Sequence, residues 1–295
     1  MNVIWSRYVQ GIRTLYESRK LRFDDIFSAQ YKNFFALDAS KPLKILEIGC
    51  GPGALAGALR RWYPNAEITA IDRDSEFILF AKEQEKGIDF LEGDATALPF
   101  ADGTFDVTIS NTVSEHIEPS AFYGEQRRVL KPNGVCLVLS SRKGINLTAP
   151  CLKESEAEKA FWEKISLFDD SMEKYGVCKY PMNESELPLS MEAYGFHSVS
   201  TGFAAPDLTP DNPKYSKEQA RAMINALRFC ALEALDSALL TAPAHTSPEE
   251  IEALKALVNE RYDARLRDYD AGKKYWETNL SVIMMIKGEK KIDNE

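Results

Sequence analysis

The sequence predicts an α/β protein: a seven-stranded, mostly parallel sheet with helices on both faces, N-terminal helices, and a helical insertion before the last strand. Three observations predict it. Short apolar runs alternate with amphipathic helical patterns from Leu43 to Leu139, the rhythm of βαβ units. The first of these runs enters a glycine-rich turn directly, Gly49-Cys50-Gly51-Pro52-Gly53. Two long helical patterns then delay the final apolar run, Leu280–Ile286.

The elements follow in order. Trp5, Tyr8, Val9, Ile12, Leu15 and Tyr16 lie on one face of an amphipathic helix, and Ile26, Phe27, Tyr31, Phe34 and Phe35 continue a second after Asp24 and Asp25. Residues 1–40 thus form an N-terminal helical segment, ended by Lys41-Pro42. Strands are predicted at Leu43–Ile48, Glu67–Ile71, Ile88–Leu91, Phe105–Ser110 and Val135–Leu139. Helices are predicted through Leu59 and Trp62, over Ser75–Glu85 and around Ser120–Leu130, with a turn at Lys131-Pro132-Asn133-Gly134. A mixed insertion of residues 142–182 follows, holding a helix near Ser155–Phe168. Glu184–Tyr194 is a further helix, and the sixth strand runs from Gly195-Phe196 to Phe203. The core therefore comprises residues 41–205 and 277–290.

Residues 206–276 form the helical insertion, far longer than an ordinary connection. Each of its two helices opens with a capping box, Ser216 with Gln219 and Ser247 with Glu250, the second with Pro248 at the first helical position. Each also has an apolar face, through Met223, Ile224, Leu227 and Leu235 and through Ile251, Leu254, Val258 and Tyr262. A hairpin of this kind still needs a surface, either as a lid at the substrate mouth or as the interface of a homodimer.

A net charge of −9 argues against nucleic acid, whose phosphates need a positive field. The opening segment reverses that balance, since Arg7, Arg13, Arg19, Lys20 and Arg22 face only Glu17. Two readings are open there: a solvated basic helix face, or a site for an anionic substrate or partner. Cys50, Cys136, Cys151, Cys178 and Cys230 are scattered and show no C-x-x-C spacing, which fits a reducing compartment without disulfide or zinc site. No apolar leader is readable, and Val282–Ile286 is too short to span a bilayer, so a cytoplasmic protein with no membrane partner is expected.

The turn Ile45-Leu46-Glu47-Ile48-Gly49-Cys50-Gly51-Pro52-Gly53 joins strand to helix, where glycines let the backbone approach a ligand and unpaired helix amides favour negative charge. Gly49, Gly51 and Ala54 also satisfy the dinucleotide fingerprint, and Asp72 lies nineteen residues beyond Gly53. An NAD-dependent oxidoreductase is therefore one reading. Three features separate the cofactors: Glu47 two residues before the first glycine, the segment Glu92-Gly93-Asp94-Ala95-Thr96-Ala97-Leu98-Pro99-Phe100, and Phe105-Asp106-Val107-Thr108-Ile109-Ser110-Asn111.

With these three motifs in order, residues 43 to 140 resemble the class I S-adenosylmethionine (SAM)-dependent methyltransferases, in particular the small-molecule group that includes the quinone methyltransferases. The resemblance implies a Rossmann-like sheet closed by an antiparallel hairpin of strands six and seven. It implies SAM as cofactor, S-adenosylhomocysteine as its product, and a small-molecule acceptor methylated by in-line displacement. Glu47 and the Gly49, Cys50, Gly51 and Gly53 backbone would meet the methionine part. Asp72, followed by Arg73, would take the ribose hydroxyls, Asp94 and the Ala95 amide the adenine, and Asn111 would border the sulfonium. A SAM-binding interaction module without catalysis is the third reading.

Asn111-Thr112-Val113-Ser114-Glu115-His116-Ile117 follows the fourth strand, where open α/β sheets bind ligands. Glu115 and His116 are the candidate catalytic pair; His116 could move a proton or hold a structural hydrogen bond. Some ubiquinone O-methyltransferases resemble E-x-x-E-H here; Thr112 replaces the first acid, so no metal is expected. For substrate recognition the candidates are Trp5, Tyr8 and Tyr16, the stretch Trp162–Tyr175 with Trp162 foremost, and the late insertion.

Overall fold

The computed structural model describes residues 5–167 and 176–291. A short π-helical turn, Trp5–Val9, precedes α1 (Ile12–Arg22) and α2 (Ser28–Phe35). The core then runs β1 (Lys44–Ile48), α3 (Ala54–Trp62), β2 (Glu67–Asp72), α4 (Ser75–Gln84), β3 (Asp89–Glu92), β4 (Phe105–Asn111), α5 (Pro119–Val129) and β5 (Leu130–Leu147). After it come α6 (Glu156–Ser166), α7 (Glu186–Ala193), β6 (Phe196–Ala204), α8 (Lys217–Thr241), α9 (Pro248–Asp270) and β7 (Thr278–Lys290).

The seven strands form one sheet in the order β3-β2-β1-β4-β5-β7-β6. The first five pair in parallel, and β7 lies antiparallel between β5 and β6. This is the Rossmann-like architecture the sequence implied. It departs from the dinucleotide-binding order 3-2-1-4-5-6, in which no late strand inserts. β1 is central and covered on both faces, so Ile45, Leu46, Glu47 and Ile48 are all buried, as expected of a parallel strand. The main core packs α1–α4 against the sheet, and a separate apolar cluster joins α6, α8 and α9.

Several element expectations need correction. The opening helix is two pieces, because Gly11 is extended (φ −60°, ψ 146°) and starts α1 afresh. β5 does not stop at Leu139 but pairs with β7 as far as Leu147, so the mixed insertion begins after 147. Residues 141–147 are mostly exposed, and a solvated strand end leaves no hydrophobic signal to read. The turn at Lys131–Gly134 is a bulge inside β5: Leu130 pairs with Phe105 and Val135 with Val107, with Asn133 at φ 60° between them. Ser155 and Glu158 cap α6 reciprocally, and the expected helix end at Phe168 lies outside the described residues.

The capping box at Ser216 and Gln219 is complete. At Ser247 it is half made: the hydroxyl accepts from the Glu250 amide at 3.1 Å, while the Glu250 carboxylate is taken by Lys164 at 2.7 and 2.8 Å. No helix among the described residues is long and apolar enough to cross a membrane.

Candidate functional site

A cavity of about 620 Å³ opens at the carboxyl ends of β1, β2 and β4. Its floor is backbone. Gly49, Gly51 and Gly53 all sit at positive φ (66°, 54° and 89°), where a side chain is strained. A Cβ on Gly49 would come within 2.5 Å of Val113 Cγ2. The Gly49 and Cys50 amides both donate to the Ile71 carbonyl, at 2.8 and 3.0 Å, which folds the loop over the end of β2.

Asp72 locks this loop: one carboxylate oxygen accepts from the Gly51 amide at 2.8 Å and the other from the Asp74 amide at 2.9 Å. Burial raises its pKa, opposed by these two amides. Glu47 is fully buried, and its Oε2 has no hydrogen-bond partner. Burial, and then the neighbouring charge of Asp72, push the Glu47 carboxyl up to about 8, against the pull of Arg19. Asp94 accepts from both the amide and the hydroxyl of Thr96 at 2.8 Å through one oxygen, Oδ1.

The roof is made of side chains from the N-terminal segment. Ser6 donates its amide and hydroxyl to Asp74 at 2.9 and 3.0 Å, pinning the first turn to the start of α4. Trp5 packs edge-on against His116 with ring centres 4.6 Å apart. Leu15, Arg19 and Arg22 line the cavity together, since positions i, i+4 and i+7 form one stripe of α1. Arg19 Nη2 donates to Thr112 Oγ1 at 2.7 Å, and that hydroxyl donates to the Asn111 carbonyl at 2.7 Å. Thr112 itself sits at φ 55°, an uncommon state for a β-branched residue and one that marks strained functional loops.

A third wall comes from residues 176–180. The Cys178 amide donates to His116 Nδ1 at 2.9 Å and the Tyr180 amide to the Glu115 carbonyl at 2.8 Å. Burial lowers the His116 pKa, with Glu115 opposing, so the ring is neutral at pH 7. A neutral imidazole has one acceptor nitrogen, and here the Cys178 amide occupies it. Glu115 Oε1 lies 4.0 Å from Nε2, too far for a hydrogen bond.

Of the residues expected from the sequence, Gly49, Gly51, Asp72, Arg73, Asp94, Ala95, His116 and Trp5 line this cavity. Glu47, Cys50, Gly53, Asn111 and Glu115 are not among its lining residues. Cys50 and Asn111 are buried, and Asn111 Oδ1 is without a hydrogen-bond partner among the described residues. Tyr8 and Tyr16 do not line it, and the Tyr16 hydroxyl instead donates to Glu85 at 2.8 Å as a packing contact of α1 on α4. Trp162 lies elsewhere, against Phe161 and the α8–α9 cluster, on a separate cavity of about 750 Å³. The rest of its stretch beyond Leu167, up to Tyr175, falls outside the described residues.

The basic opening segment divides between its two readings. Lys20 is exposed and Arg13 stacks over the Phe229 ring at 4.4 Å, whereas Arg19 and Arg22 turn inward to the cavity. The sequence leaves both readings open for these two. Their spacing from apolar Leu15 was the available signal. No residue of α8 or α9 lines the cavity; α8 instead braces α1, with Glu233 accepting from the Thr14 amide at 3.3 Å.

A family model described as a methyltransferase domain matches residues 46–138. The fatty-acid O-methyltransferase of Mycolicibacterium smegmatis is 38% identical over 103 residues, 34% of this chain and 37% of that protein. The ubiquinone/menaquinone biosynthesis C-methyltransferase UbiE of Desulfotalea psychrophila is 33% identical over 117 residues, 38% of this chain and 48% of that one. The chain thus spans less than half the length of either relative. Among solved structures, the [4+2]-cyclase SpnF superposes with a TM-score of 0.50 at 17% identity, over 92% of this chain and 81% of that one, a likeness of fold alone. Residues 46–138 thus match a methyltransferase domain, and the sheet built around them has the Rossmann-like fold of the S-adenosylmethionine-dependent methyltransferases.

Proposed function

We propose that the protein transfers a methyl group from SAM to a small-molecule acceptor. The observation that carries this reading is the convergence on one cavity of Gly49 and Gly51 from the end of β1, Asp72 from β2 and Asp94 beyond β3. The residues suit the cofactor. The left-handed glycines bring bare backbone to the cavity, where a Cβ on Gly49 would strike Val113, and Glu47 offers a buried, unpartnered oxygen beneath them. Asp72 would accept from the ribose hydroxyls beside Arg73. Asp94 would accept from the adenine amino group beside the Ala95 amide. Glu47, with the Gly49–Gly53 backbone including Cys50, would meet the methionine part, and Asn111 would back the sulfonium side.

SAM supplies an activated methyl group when bound, so the chain itself has to orient the acceptor and exclude water. Trp5 and α1 close the cavity from above, with the α8–α9 hairpin bracing them from behind rather than forming the lid itself. His116 has a positioning role, holding residues 176–180 against the strand ends, because its acceptor nitrogen is already used. Glu115 contributes its carbonyl to the same task. The inserted, antiparallel β7 and the position of Asp94 both speak against the NAD-dependent reading.

Calorimetry tests the cofactor. SAM and S-adenosylhomocysteine are expected to bind and NAD is not. Asp72→Ala should weaken S-adenosylhomocysteine by about tenfold or more, since a hydrogen bond to a charged group is worth roughly 1.5–3 kcal/mol. Binding of NAD without SAM would overturn the assignment.

A further inference from the structure

We propose that Arg22 is a specificity residue that recognises an anionic group on the acceptor, and that the acceptor is an apolar carboxylate. This rests on the methyltransferase reading above and names the substrate class for that same cavity.

Two arginines of α1 enter the cavity one turn apart, and their surroundings differ. Arg19 is engaged: it donates to Thr112, stands against Gly51, and feels the charges of Glu47, Asp72 and Glu115. It sits at the glycine loop, where the methionine carboxylate of the cofactor would lie. Arg22 has none of these partners. Its Nε is buried without a hydrogen bond, and no carboxylate among the described residues is one of the groups that shift its charge. Its electrostatic neighbours are the like charge of Arg19, the Tyr31 hydroxyl and the Cys230 thiol. Burial raises the pKa of the hydroxyl and of the thiol, so both are neutral at pH 7.

A guanidinium in a recess without a counter-charge is costly unless a ligand supplies one. SAM brings one carboxylate against two cationic centres of its own, so it cannot satisfy both arginines. Among the described residues nothing else supplies the second anion, so it is assigned to the acceptor. The cavity walls include Trp5, Val9, Leu15 and Val177, which favour an apolar body behind the charged head. A carboxylate also fits the state of His116. It carries no proton at neutral pH, so it makes no demand for a base at a ring whose acceptor nitrogen is occupied.

The test is calorimetry on protein saturated with S-adenosylhomocysteine, titrated with straight-chain acids from butyrate to palmitate, with benzoate, and with the primary amide of each. At least one acid is expected to bind about tenfold or more tightly than its amide, the effect of one charge-assisted pair. Arg22→Gln should abolish that preference and leave the affinity for S-adenosylhomocysteine within about twofold, whereas Arg19→Gln should weaken S-adenosylhomocysteine itself. Arg22→Lys, which keeps the charge but not the planar fork, should retain part of the preference and decides the matter if the Gln variant does not fold. Equal binding of acids and amides, no acid bound by protein that binds S-adenosylhomocysteine, or an unchanged preference in folded Arg22 variants would each overturn the proposal and leave the methyltransferase reading standing. Failure to bind S-adenosylhomocysteine would remove both.

Discussion

The floor and the roof of the cavity are held by different kinds of bond. The floor is main chain on a buried parallel sheet: three left-handed glycines, two amides on the Ile71 carbonyl, and Asp72 closing the loop. The roof is a short turn and one helix held by side chains, Ser6 on Asp74, Arg19 on Thr112, Trp5 on His116 and Thr14 on Glu233. The floor is fixed when the sheet forms. The roof has contacts that can open one at a time, and a site that must admit and release ligands needs such a part.

Damage to the floor should therefore cost stability, and damage to the roof should cost mainly affinity. Gly49→Ala is expected to have the largest effect. A left-handed alanine costs about 1–2 kcal/mol and crowding against Val113 about 1–3 kcal/mol, so urea denaturation should show a loss of roughly 2–5 kcal/mol. Adding Val113→Ala should recover the crowding part only; full recovery would mean the backbone there is not strained.

Glu47 gives the next effect, read through pH. Its folded pKa of about 8 stands above the ordinary 4.5, so the folded chain holds this proton more tightly than the unfolded chain does. That contribution is complete below pH 4.5 and is lost as pH rises through about 8, so stability should fall across this window, and Glu47→Gln should flatten the slope. If Glu47 meets the cofactor as a carboxylate, SAM affinity should rise with pH up to about 8, by as much as about tenfold per unit. A flat affinity profile from pH 6 to 8 would take Glu47 out of direct contact.

The smallest effect belongs to the roof brace. Glu233 serves an unpaired first-turn amide of α1 from 219 residues away, and helix-end interactions of this kind are worth about 0.5–2 kcal/mol. Glu233→Ala should lower stability by about that much and loosen S-adenosylhomocysteine several-fold by freeing α1. No change in affinity would show that the brace and the cavity are uncoupled.

The same contrast explains what could be read in advance. Alternating strands and helices, the glycine turn and the order of Glu47, Asp72 and Asp94 are local in sequence and were legible from it. The roof is not local. Ser6 reaches Asp74 across 68 residues and Arg19 reaches Thr112 across 93, and no periodicity encodes such pairs. Tyr16 and Trp162 pack away from the cavity, and a related reason hides this in the sequence: an aromatic on an amphipathic face is equally suited to a core and a pocket, and only the packed partner decides. The exposed end of β5 went unseen because its pairing with β7 is carried by backbone hydrogen bonds, to which side-chain patterns are blind.

The position of β7 has a consequence for how the chain is made. The last strand in sequence is not at the edge of the sheet but between β5 and β6. Until residues 278–290 leave the ribosome, β5 offers an open edge and β6 has no neighbour to join, while the α8–α9 hairpin is already complete. A chain still lacking those residues therefore lacks the one strand that joins β5 to β6 in the described sheet.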